Sequence, residues 1–123
     1  MKHALHLAAL ALMICLPAHA HEIESDTVLI CDTQKQVERY AQLFDGNQQA
    51  AIRAVNTEEN NPNACALVDV SYVQGPDVGM ARSSSHAFRI VPIVVVGVKT
   101  PRGFGPVKPV LFFTPLKIDE LAV

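Results

Sequence analysis

Few side chains in this 123-residue chain offer chemistry beyond packing: two histidines, His21 and His86, and two cysteines, Cys31 and Cys65. A histidine that stands first in a mature chain chelates through its α-amine and imidazole Nδ1. A second imidazole then completes a T-shaped copper site, a histidine brace. His21 takes that first place if the chain is cut after Ala20, with His86 as the second imidazole and Glu22, Glu24 and Asp26 as nearby oxygen donors. Copper is the alternative cofactor on this reading, and the leading expectation is none. The cysteines stand 34 positions apart without a Cys-x-x-Cys spacing, so in an oxidising compartment they form a structural Cys31–Cys65 disulfide rather than a redox pair. Closing a loop of that length contributes about 3 to 4 kcal/mol in the chain-entropy model.

Both chemistries depend on export, and the start of the chain predicts it. Lys2, an apolar run over residues 7–16, and Ala18, His19 and Ala20 have the order of a secretory signal peptide: charge, apolar stretch, small-x-small cleavage site. The apolar run is too short to cross a bilayer as an anchor. Residues 1–20 are therefore expected to leave, and residues 21–123 to form one small domain in the periplasm or outside the cell. Cys15 leaves with the signal, because Ile14 stands where lipid attachment requires a small residue. The pairing of His21 with His86 resembles the brace of exported copper carriers and lytic polysaccharide monooxygenases, and the resemblance implies copper held by those two residues. In general character the chain resembles short exported proteins of Gram-negative bacteria, which implies an address and no activity.

The other chemistry-bearing residues lack partners in sequence. Ser83, Ser84 and Ser85 precede His86 without a Gly-x-Ser-x-Gly elbow, and adjacent residues rarely face each other as nucleophile and base. Asp69 and the pair Glu58 and Glu59 would need a cleft that raises one carboxyl pKa, for which a chain this short has little surface. Gly103 and Gly105 flank Phe104 without the third glycine and helix of a dinucleotide site. After signal removal, 9 basic side chains stand against 12 acidic ones, a formal charge of −3, with both signs read as scattered along the chain. Nucleic acid is excluded as a partner, since no block of Lys and Arg exists to displace counterions. A basic amphipathic helix for a membrane surface is missing for the same reason.

The elements that must position these residues follow from periodicity. A β-branched run over residues 27–31 predicts a strand, and Thr33 with Gln36 three residues on predicts a capped helix. Val37, Tyr40, Ala41 and Phe44 form its apolar stripe, Gly46 ends it, and Asn47 caps a second helix carrying Ala50, Ala51, Ala54 and Val55. Alternation over residues 64–73 predicts a half-buried strand, and residues 74–85 are expected to be a long loop. The apolar run over residues 88–98 predicts a strand buried on both faces, with Pro92 at a bulge or an edge. Residues 107–116 return as its hairpin partner, an edge strand guarded by Pro109 and Pro115.

The expected fold is α+β: a strand, two short helices, then a three-stranded antiparallel sheet, with a small partly open β-barrel as the alternative. The expected function is a non-catalytic exported binding or accessory protein whose partner is a protein or an envelope component, with no stable membrane insertion after signal cleavage. Its contacts are expected from the loop that carries Asp77 and Arg82, from Phe104 at the hairpin tip, or from an open sheet edge. The alternatives are a periplasmic copper-binding protein and a small hydrolase.

Overall fold

A computed structural model describes residues 22–118. The elements run β1 (Glu24–Cys31), α1 (Gln34–Leu43), α2 (Gln48–Glu58), β2 (Cys65–Gln74), β3 (Gly79–Arg82), β4 (Ala87–Thr100) and β5 (Gly103–Lys117). The fold is α+β, with two helices and one five-stranded antiparallel sheet whose ends approach each other as a partly open ring. The leading and alternative fold expectations therefore describe the same object, with one strand, β3, beyond the first strand and the three foreseen after the helices.

Local signals place the helices. The Thr33 hydroxyl accepts from the Gln36 amide at 3.2 Å, and Gln36 Oε1 accepts from the Thr33 amide at 3.0 Å, so each satisfies a donor the first turn leaves free. Asn47 Oδ1 does the same for Ala50, at 3.0 Å. Between the helices Gly46 takes φ +107°, a conformation that side chains with a Cβ rarely adopt. Val37, Tyr40, Ala41, Ala51, Ile52 and Val55 then bury one helical face against Leu29, Cys31, Cys65, Phe88 and Ile90.

Strand alternation divides the apolar residues between that core and a second one inside the ring. Leu29 and Cys31 face the helices, while Ile30 joins Val70, Tyr72, Val91, Ile93 and Val95 in the ring. β4 serves both cores, with Phe88 and Ile90 toward the helices and Val91, Ile93 and Val95 toward the ring interior. That double burial is why its sequence is nearly continuous in apolar residues.

One edge of β4 pairs β5 along most of its length, and the other pairs β3 and then β2. Pro92 lies at the junction between Gln74↔Ile93 and Gly79↔Ile90, where its carbonyl accepts from the Gly75 amide at 2.8 Å. Its missing N–H faces the break between two partner strands, where no ladder bond is lost. The expected loop over residues 74–85 is thus corrected: Gly79–Arg82 is a strand on the β4 edge, and only residues 75–78 and the turn before β4 are irregular.

The ring closes through a single β1–β5 pair, Cys31↔Phe113. In continued register Leu29 would face Pro115, which has no amide to give. The Thr114 hydroxyl supplies the donor instead, bonding the Leu29 carbonyl at 2.6 Å in the buried interior. Beyond that bond the strands part into a groove of about 440 Å³, lined by Thr27, Val28, Tyr40, Phe44, Phe88 and Leu116 among others.

Candidate functional site

Cys31 and Cys65 are directly opposed on β1 and β2 and form a disulfide. Next to it the Asp32 amide bonds the Ala64 carbonyl at 3.0 Å, and the Asn56 side chain bonds both the amide and the carbonyl of Cys65, at 2.8 and 2.9 Å. The bridge therefore closes the whole helical excursion where it leaves and rejoins the sheet. Both cysteines are buried at 0–1% exposure, a setting for a staple rather than an exchanging thiol.

The signal segment and His21 lie outside the described residues. His86 ends the β3–β4 turn, its ring edge-on to Phe44 at 4.8 Å between centroids. Its Nδ1 is 2.7 Å from the Ser85 hydroxyl. Contrary to the expectation for neighbours in sequence, these two side chains do face each other. The reason is the turn itself, in which Ser83 Oγ accepts from the amides of Ser85 and His86 at 3.3 and 3.1 Å. Among the described residues no carboxylate bonds His86, and no cluster of three His, Cys, Asp or Glu side chains could hold a metal. Glu22 lines a small surface depression with Glu24, Gln74 and Gly75, and Gly75 bonds Pro92. His86 is six residues from Pro92 along the chain, about 20 Å at strand spacing.

The carboxylates are spread apart. Glu58 forms an exposed ion pair with Arg39 at 2.8 Å that links the two helices and lowers its own pKa, first through that hydrogen bond. Asp69 accepts from the Thr27 hydroxyl across the β1–β2 pair. Asp77 pairs with Arg89 at 3.1 Å, fastening residues 75–78 to β4, and Arg82 is exposed on β3. Every fully buried polar side-chain atom among the described residues has a partner.

Large apolar side chains stand exposed in two places: Ile23, Leu67, Val78 and Met80 are spread over the other strands and their connections, and four more lie on β4 and β5. Val98, Phe104, Val110 and Leu111 are exposed at 37, 46, 45 and 54%. Phe104 stands directly opposite Lys99 across the hairpin, and the tip turns through Gly103 at φ +103°, where an added Cβ would meet nothing within 4 Å. Lys99, Arg102 and Lys108 surround these residues, and among the described residues none of the three makes an ion pair. A depression of about 490 Å³ opens beside them, lined by Ile30, Val68, Val95, Val98 and Phe112 together with the charged side chains Asp69 and Lys99.

The charge distribution corrects the reading of scattered signs. Residues 22–77 contain ten carboxylates and three cations, and residues 78–118 contain six cations and no carboxylate. Separate counts for the two halves would have revealed it; the search for consecutive runs of Lys and Arg did not, because these cations are spaced by apolar residues and prolines.

Among the described residues no helix is long and apolar enough to cross a membrane. Set against known protein families, curated proteins and solved structures, the chain matches none.

Proposed function

We propose that this is an exported, disulfide-stapled binding module without catalytic activity, and that it engages its partner through the β4–β5 hairpin. The carrying observation is that Val98, Phe104, Val110 and Leu111 are all exposed on one element, the β4–β5 hairpin, with Phe104 opposite Lys99 near its tip. Monomeric proteins cover such patches unless something else covers them. Export is supported by the order of residues 1–20 and by a disulfide that an oxidising compartment maintains.

The test is a photo-crosslinking residue at position 104 in the full chain, expressed in an exporting host, with position 53 on α2 as control. Adducts are expected from position 104 and not from 53, on a species whose intact mass matches residues 21–123 with the disulfide closed. Equal labelling from both positions, an uncleaved cytosolic product, or turnover in a broad hydrolase screen overturns the reading.

A further inference from the structure

We infer that the partner of the β4–β5 hairpin is an anionic lipid surface, an inference that rests on the binding-module reading and names its ligand. Three properties of the hairpin converge on it. The first is charge. Lys99, Arg102 and Lys108 lie in a stretch, residues 78–118, that contains six cations and no carboxylate, whereas residues 22–77 contain ten carboxylates and Asp119 and Glu120 follow the stretch. In space Asp69 stands near Lys99, and the cations beyond it, Arg102 and Lys108, give the tip a local positive charge that draws it toward a negative surface.

The second is the interleaving of those cations with apolar side chains. Phe104 faces Lys99 directly, and Val110 and Leu111 follow along β5. An interfacial segment needs this combination, with apolar groups entering the headgroup boundary while cations stay among the headgroups. A nucleic acid would use the cations and leave the apolar side chains in water.

The third is the backbone. Pro101, Pro106 and Pro109 have no amide N–H, and they stand within nine consecutive residues at and beyond the tip. A protein partner that adds a strand to β5 needs those donors, so the prolines disfavour it. A lipid interface is served by the same feature, because fewer amides enter it unpaired. The depression beside the hairpin takes Val98 and Lys99 from this end and none of residues 100–111. The geometry thus suits a flat fluid surface. Docking is peripheral, and the ring core that holds Val107 and Phe112 anchors the hairpin to the domain.

The experiment is sedimentation of the exported protein with vesicles of phosphatidylcholine alone or mixed with phosphatidylglycerol. Binding is expected to the mixed vesicles only, and to weaken at high salt. Lys99→Gln, Arg102→Gln and Lys108→Gln are each expected to weaken partitioning about fivefold, and the triple reversal to Glu to abolish it. Phe104→Ser is expected to lower it several-fold at any salt concentration, whereas Lys35→Gln and Arg53→Gln change nothing. Circular dichroism and intact mass confirm that each variant is folded and bridged. Equal binding to both vesicle types, no binding to either, or wild-type binding by the triple reversal overturns the inference. If position 104 crosslinks to an envelope protein while vesicles are not bound, the lipid inference falls and the binding-module reading stands. If neither occurs, both fall.

Discussion

The half of the chain from β1 to β2 and the hairpin of β4 and β5 solve the same problem in opposite ways. In the first half a 34-residue separation is closed by Cys31–Cys65, both helices carry side-chain caps, and Cys31, Val37, Tyr40, Ala41, Val55 and Cys65 are at most 2% exposed. In the hairpin the tip is held by the Thr100 hydroxyl, which donates to the Gly103 carbonyl at 2.7 Å and accepts from the Arg102 amide at 3.2 Å, and large apolar side chains stand in solvent. The first half is thus fastened around a covered core, whereas the hairpin leaves Phe104, Val110 and Leu111 in solvent on the same element as Lys99, Arg102 and Lys108.

The largest effect should come from the staple. The Cys31→Ala/Cys65→Ala variant is expected to lose about 3 to 4 kcal/mol, read as a shift of the urea midpoint with an unchanged slope. Leu111→Ser at the opposite end is expected to move stability by less than about 0.5 kcal/mol, because its side chain is already largely in water. If the Leu111 variant costs as much as the bridge, the hairpin patch is structural and the comparison breaks.

Sequence reasoning reached one of these regions more fully than the other. The capping box at Thr33 and Gln36, the stripe through Val37, Tyr40 and Ala41, the Asn47 cap and the cysteine pair are signals carried within a few residues, and all appear as expected. β3 has the sequence Gly-Met-Ala-Arg, without alternation and between turn residues; it is a strand only because β4 offers an edge. Ring closure depends on Cys31 meeting Phe113, a pairing no local pattern specifies. Of the candidate site residues, Phe104 between its glycines and prolines fits a side chain folded back onto the core better than an exposed one, and the structure shows it 46% exposed. The placing of Lys99 opposite it, with Arg102 and Lys108 on the same hairpin, was not readable, because it depends on the hairpin register.

The seam between the two regions allows a sharper test of intermediate size. Thr114→Val removes the donor that satisfies the buried Leu29 carbonyl and is expected to cost about 1 to 3 kcal/mol. Pro115→Ala restores an amide at the position that faces Leu29 in continued register. In the Thr114→Val background it should recover part of that loss, whereas in the wild type it has no orphan to satisfy. A double-mutant cycle with no coupling would show that the seam is held open by something other than the proline.

The smallest effect at neutral pH, and one that grows only in alkali, belongs to the two tyrosines. Burial pushes the Tyr40 phenol up to about 12, opposed by a hydrogen bond from Gln48. Burial also pushes Tyr72 up to about 12, reinforced by its hydrogen bond to Glu24 and by the charges of Glu24 and Asp26. An unfolded tyrosine ionises near pH 10, so between about pH 10 and 12 the unfolded chain loses protons that the folded chain keeps. Stability from both phenols is therefore complete below pH 10 and declines as pH rises through that window. Tyr40→Phe and Tyr72→Phe should each flatten the decline, measured as the urea midpoint at successive pH values. The β4–β5 hairpin has no tyrosine, so its share of the stability should not follow this titration. A decline that survives both substitutions would place the alkaline weak point outside the two cores, in the hairpin or its lysines.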